Sequence, residues 1–168
     1  MIINILKYSL IFVVAVGLQV LIFNNILIFN MISPFFYIIF ILLLPFETNR
    51  SLMLLMAFLL GLSVDAFNNT LGVHAAAAVL VAQLRPGILN IISSREILES
   101  ASEPRVSNMG FQWFTEYTAI LVIIHHLFLF IIEAFAFNGF GFTLLRAMLS
   151  SILTIILIVL SQFLIFRK

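Results

Sequence analysis

Ala57–Pro86, AFLLGLSVDAFNNTLGVHAAAAVLVAQLRP, is the stretch on which the reading of this chain turns. It predicts a helix, a tight turn at Asn68-Asn69-Thr70 and a second helix, with Asp65 alone in apolar sequence just before the turn. An ionised carboxylate in hydrocarbon is expensive unless it is paired, hydrogen-bonded or hydrated, so Asp65 needs an architectural or a functional reason. Ala57, Gly61 and Asp65 fall at i, i+4 and i+8 on one helix face, and the returning helix carries Ala75 to Ala78. Small-residue faces let two helix backbones approach closely, which is how helices associate in lipid, where no hydrophobic gain is available. The stretch reads as a close-packed helical hairpin.

The surrounding composition agrees with a membrane setting. Of 168 residues, 64 % are hydrophobic and 9 % charged, against about 25 % charged in soluble domains. No charged residue occurs from Tyr8 to Phe46, and about 20 apolar residues suffice to cross roughly 30 Å of hydrocarbon. The absence of cysteine excludes disulfides, thiol chemistry and iron–sulfur ligation. A net charge of +1 leaves no basic field for nucleic acid. Lys7 precedes an apolar run as in a signal peptide, but the run continues to Phe23 with Ala15-Val16-Gly17 as its one weak cleavage-like site, so it reads as an uncleaved first helix.

The expectation is a single all-α transmembrane domain over residues 1–168, a compact bundle of six transmembrane helices. Helix 1 is expected over about Leu6 to Phe23, and helix 2 from Ser33-Pro34 to Pro45-Phe46. Helix 3 is expected over Ser51 to Phe67, and helix 4 over Thr70 to Leu84, stopped by Arg85-Pro86-Gly87. A charged loop at about 88–116 follows, with Ser93 and Glu96 spaced as a capping box for a short interfacial helix. Trp113, Phe114 and Tyr117 then anchor helix 5, Thr115 to Phe137, and Asn138-Gly139-Phe140-Gly141 turns into helix 6, Thr143 to Ile165. With six spans, Lys7, Arg50, Arg85, Arg95, Arg105, Arg167 and Lys168 share one side, which the positive-inside rule makes cytoplasmic together with both termini.

The polar residues offer several chemistries. Asp65 suits a cap on the first amides of helix 4, a substrate or proton site, or a polar contact with a partner. His74, Ala78, Ala82 and Arg85 form one stripe of helix 4, which suits a packing face. His125, His126, Glu133 and Arg146 suggest a proton path or metal site; adjacent histidines point about 100° apart on a helix, so one interhelical hydrogen bond and a Glu133–Arg146 pair are the simpler reading. A capping role for Asp65 predicts that Asn is tolerated there and Leu is not. No glycine-rich phosphate loop, paired-acid signature or serine nucleophile with a base is present, so neither an enzyme nor a cofactor is expected.

Gly61-Leu62-Ser63-Val64-Asp65, then Leu71-Gly72-Val73-His74, the alanine run and Leu84-Arg85-Pro86 resemble the signature of the bacterial rod shape-determining MreD family. The resemblance gives Gly61, Asp65, Gly72, His74, Arg85 and Pro86 partner-binding or architectural roles. It implies a non-catalytic inner-membrane scaffold of the cell-elongation complex, associated with MreC and, through it, with the MreB cytoskeleton and the RodA–transpeptidase pair that builds peptidoglycan. The family in turn resembles the six-helix substrate-binding components of energy-coupling-factor transporters. The competing expectation is therefore a small-molecule, vitamin-like binding subunit of a transporter, with Asp65, His74, His125 and Glu133 lining a pocket. A binder needs a cavity of at least about 300 Å³ with convergent polar groups, whereas a scaffold has a filled bundle and a lipid-facing apolar groove.

Overall fold

The computed structural model describes residues 2–101, 103–134 and 140–165. In chain order its helices are α1 (Ile2–Leu21), a short α2 (Ile39–Leu43), α3 (Arg50–Asn68), α4 (Val73–Ile92), α5 (Arg95–Ser100), α6 (Val106–Met109), α7 (Phe111–Ala134) and α8 (Phe140–Ile165). Five of them, α1, α3, α4, α7 and α8, are long and apolar enough to cross a membrane. Among the described residues there is no strand beyond a single bridge, Ile28 to Ile32. The chain is an all-α, multi-pass membrane protein.

The α3–α4 pair is the most intimate contact in the bundle, and Gly61 is the reason. A Cβ there would sit 2.4 Å from Ala75 Cα and 2.5 Å from the Ala75 nitrogen and the His74 carbonyl, so only glycine lets the backbones meet. Asn69, left-handed at φ 54°, closes α3, and Gly72 at φ 84° opens α4. These are conformations that Asn and Gly adopt at least cost.

The expected second helix is the main departure from the sequence reading. Only a 3-10 turn (Phe36–Ile38) and α2 are helical, rising about 13 Å together, and the remainder is irregular. Prolines explain both ends. Pro34 disfavours helical geometry at Ser33, and Pro45 holds Leu44 at ψ 143°, outside the helical region. The segment still traverses the bundle: the Ser33 amide bonds Ser150 Oγ near the α3–α4 turn, and at the opposite end the Phe46 ring packs edge-on to Trp113. Every residue from Pro34 to Leu44 is buried.

Irregular backbone at membrane depth persists only where protein supplies the missing hydrogen bonds, and here four helices do so. Gln19 of α1 donates to the Pro34 carbonyl (3.1 Å) and accepts from the Tyr37 amide (3.2 Å). Ser150 and Thr154 of α8 accept the Ser33 and Phe35 amides, both at 3.1 Å. Tyr117 of α7 donates to the Leu42 carbonyl at 3.1 Å, and Arg85 of α4 donates to those of Leu44 and Pro45.

Other boundaries also shift. α4 does not stop at Arg85-Pro86 but runs through Pro86 to Ile92. A proline inside a helix forfeits one backbone bond, and packing of α4 between α3 and α7 holds the helix through it. The charged connection therefore shrinks to residues 93–110. Ser93 caps no helix with its side chain; its hydroxyl accepts the Trp113 indole N–H at 2.7 Å, while Trp113 stacks on Tyr117. At this end Lys7 and Tyr8 of α1 donate to Glu103 Oε1, the latter at 2.6 Å, and Arg105 pairs with Glu103 Oε2 at 2.7 Å. Phe163 of α8 packs against Phe111, so the start of α1 and the end of α8 lie at the charged end of the bundle. The turn expected at Asn138-Gly139 and the basic Arg167 and Lys168 lie outside the described residues.

Candidate functional site

Asp65 is spent inside the hairpin. Its Oδ1 accepts from the Thr70 hydroxyl and from the His74 amide at 3.1 Å, and its Oδ2 accepts from the Ala75 amide at 2.9 Å. The carboxylate thus caps, from α3, the amides of the first turn of α4 that have no partner within the helix, where the helix dipole favours negative charge.

His74, on that same first turn, begins a buried polar chain. Its Nδ1 meets the Tyr37 hydroxyl at 3.2 Å, and that hydroxyl meets His125 Nε2 at 2.7 Å. His125 Nδ1 lies 3.4 Å from His126 Nδ1, and His126 Nε2 lies 3.0 Å from Thr154 Oγ1. Both adjacent histidines are therefore engaged: one meets the broken passage through Tyr37 and the other crosses to α8, while Phe35 packs against both rings. In the other direction His74 Nε2 meets Asn68 Nδ2 at 3.3 Å. Asn24 donates to Asn68 at 2.6 Å and accepts from Gln19 at 2.9 Å. The Phe-Asn-Asn turns that follow α1 and close α3 are thus bonded to each other. Among the described residues no three His, Asp or Glu side chains converge as a metal-ligand set.

Above His74 this chain borders a cavity of about 230 Å³. Its polar wall is Gln19, Asn24, Asn68, Thr70 and His74, and its aromatic wall is Phe23, Phe35 and Phe130. Ser33, Glu133 and Arg146 complete it. Of the pocket residues expected for a binder, His74 and Glu133 line it, whereas Asp65 and His125 do not. The expected Glu133–Arg146 ion pair is not formed. Arg146 Nε instead donates to the Met31 carbonyl at 3.3 Å, and its guanidinium lies 4.8 Å above the Phe130 ring, because the 26–32 turn reaches over the start of α8.

Arg85 lies at the opposite end of the α4 stripe, buried to 2 % exposure. Its Nε donates to Tyr117 OH at 2.7 Å, Nη2 bonds the Leu44 carbonyl, and Nη1 reaches the Pro45 carbonyl and Met53 Sδ, each at 3.5 Å. A cation over the carbonyls that leave the end of α2 is placed where the helix dipole is negative. Pro86 follows it within α4, and Gly72 opens that helix.

Two larger depressions are apolar and flank α1. One, of about 710 Å³, is walled chiefly by Tyr8, Phe40, Leu44, Leu52 and Met56; the other, of about 450 Å³, by Leu10, Val14, Leu18, Phe36, Ile39 and Leu43. Only 11 % of the α1 span is buried, against 44 % for α7, so α1 is the peripheral helix between them.

Gln19, Tyr37, Ser150 and Thr154 are functional in this network and escape a motif search, since each is an uncharged polar residue in mostly apolar sequence. Their shared signal is that a polar side chain in a membrane helix needs a partner. Compared with protein-family models, curated proteins and solved structures, the chain matches none.

Proposed function

We propose that this protein is a non-catalytic scaffold of the bacterial inner membrane, acting in the cell-elongation complex as the resemblance of Gly61–Asp65, Gly72–His74 and Arg85-Pro86 to the MreD family implies. It binds MreC and, through it, links the MreB cytoskeleton to the RodA–transpeptidase pair. In this reading the charged end, with both termini, is cytoplasmic, and the bundle is akin to the substrate-binding components of energy-coupling-factor transporters. The observation that carries it is how the interior is used: Asp65, His74, Arg85, His125 and His126 are each bonded within the chain, while two depressions larger than the polar cavity are apolar and flank a peripheral helix. Apolar grooves beside such a helix suit another membrane protein, and the polar cavity of about 230 Å³ is below the roughly 300 Å³ at which pockets for vitamin-sized ligands begin.

Co-purification of the tagged chain from its native membrane is expected to bring down an MreC-type protein, and depletion in a rod-shaped host is expected to give wide or round cells. Depleted cells that keep their shape and lose uptake of one vitamin would replace this reading with the transporter one.

A further inference from the structure

The cavity above His74 contains two kinds of polar side chain. Gln19, Asn24, Asn68 and His74 are bonded to one another, and Thr70 is bonded to Asp65, so they form a wall with little left to offer. Ser33, Glu133 and Arg146 differ. Among the described residues the Ser33 hydroxyl, the carboxylate of Glu133 at the exposed rim and the two terminal nitrogens of the half-buried Arg146, which uses only Nε, have no protein partner. An anion donor set and a carboxylate therefore border one small cavity, and they are not satisfied by each other.

We propose that this cavity binds a small zwitterion, with its anionic oxygens on Arg146 and Ser33 and its ammonium on Glu133. A simple anion would be opposed by Glu133 and a simple cation by Arg146; a molecule carrying both charges satisfies both rims. Size narrows the class further. About 230 Å³ is the room of roughly eight waters at about 30 Å³ each, which fits an α-amino acid or a phosphoethanolamine group. The shared chemistry comes from two sources, a free amino acid or the headgroup of phosphatidylethanolamine. This inference is independent of the scaffold reading, since a scaffold and a transporter subunit can each hold such a ligand.

The test uses the full chain in nanodiscs of phosphatidylglycerol alone, which contain no zwitterion. Thermal unfolding is followed with free α-amino acids or glycerophosphoethanolamine at millimolar concentration, and again after phosphatidylethanolamine is mixed into the disc. A saturable rise in midpoint with a free zwitterion identifies a soluble ligand, and a rise only with phosphatidylethanolamine identifies the headgroup. Either rise should be weakened at least about tenfold by Glu133→Gln, which breaks no bond within the described residues and should keep the unliganded midpoint. Arg146→Gln should do the same, with partial recovery in Arg146→Lys; if Arg146→Gln does not fold, Glu133→Gln alone decides. The proposal is overturned if no zwitterion raises the midpoint, if Glu133→Gln leaves the rise intact, or if acetate or inorganic phosphate is as effective.

Discussion

The α3–α4 hairpin and the Ser33–Pro45 passage are both apolar and both cross the bundle, yet they solve the membrane's hydrogen-bonding problem in opposite ways. The hairpin is two full helices, so nearly all its backbone bonds are internal, and what it needs from side chains is space at Gly61 and a cap from Asp65. The passage is broken by its prolines and borrows bonds from α1, α4, α7 and α8. The hairpin's bonds and its cap come from within the hairpin itself. The passage is correct only once its neighbours are in place, which makes it the element that ties the bundle together.

The comparison breaks most severely at Gly61. With Ala75 backbone atoms 2.4 to 2.5 Å from any added Cβ, Gly61→Leu must push α4 away over the whole contact. A loss of about 4 kcal/mol or more is expected, read as absence of folded protein from the membrane or a collapsed melting midpoint in detergent. Gly17, which has nothing near its Cβ position, is the control, and Gly17→Ala should not lower the midpoint.

Asp65 comes next. Asp65→Leu strands the amides of His74 and Ala75 in a buried place, and about 3 kcal/mol is expected. Because both carboxylate oxygens accept, Asn is not neutral as a simple cap predicts: its amide nitrogen must face either the Ala75 N–H or the Oδ1 donors. An intermediate loss of about 1 to 2 kcal/mol in the same melts is expected. Partner capture that fails in well-folded Asp65→Asn would instead move Asp65 from architecture to recognition.

For the passage, the sharpest probe is Gln19→Leu. It leaves the Tyr37 amide and the Pro34 carbonyl unsatisfied in the interior, for an expected loss of about 2 kcal/mol. Gln83→Leu on the exposed face of α4 should be within about 0.5 kcal/mol of wild type. Equal melting midpoints for the two variants would mean that the borrowed bonds contribute little.

The difference between these regions also explains what was legible in the sequence. Small residues at i, i+4 and i+8, an Asn-Asn turn and a lone acid are local signals, so the hairpin and Asp65's place beside the first turn of helix 4 were readable. An apolar run such as Phe35–Leu44 has no period, and a buried run reads alike as helix or as extended chain. Its prolines looked like ends of a helix rather than breaks in one. Pro86 misled in the reverse direction, because the packing that carries α4 through it is tertiary. The partners of the passage are single residues from Gln19 to Thr154, and nothing in the order of the chain brings them together.

The smallest expected effect lies at the charged end, where Glu103 gathers Lys7, Tyr8 and Arg105 and ties α1 to the connection before α7. Burial pushes the Glu103 carboxyl up, but the hydrogen bonds from Lys7 and Tyr8 and the charges of Arg105 and Lys7 outweigh it and hold the group below the usual carboxylate range. A carboxyl with a lowered folded-state pKa binds fewer protons folded than unfolded. Its stabilisation is therefore fully present above the ordinary carboxylate pKa and is lost as pH falls through the lowered one. For a clasp at the rim of the bundle the loss should be about 1 kcal/mol or less. Melting midpoints of wild type and Glu103→Gln at pH 7 and at pH 3 isolate this group from the other acids: the wild type should exceed the variant at pH 7, and the gap should narrow at pH 3. A gap that is unchanged at pH 3 would show that the carboxylate's charge is not what fastens α1, and that the helix between the two apolar grooves is held by packing on the broken passage instead.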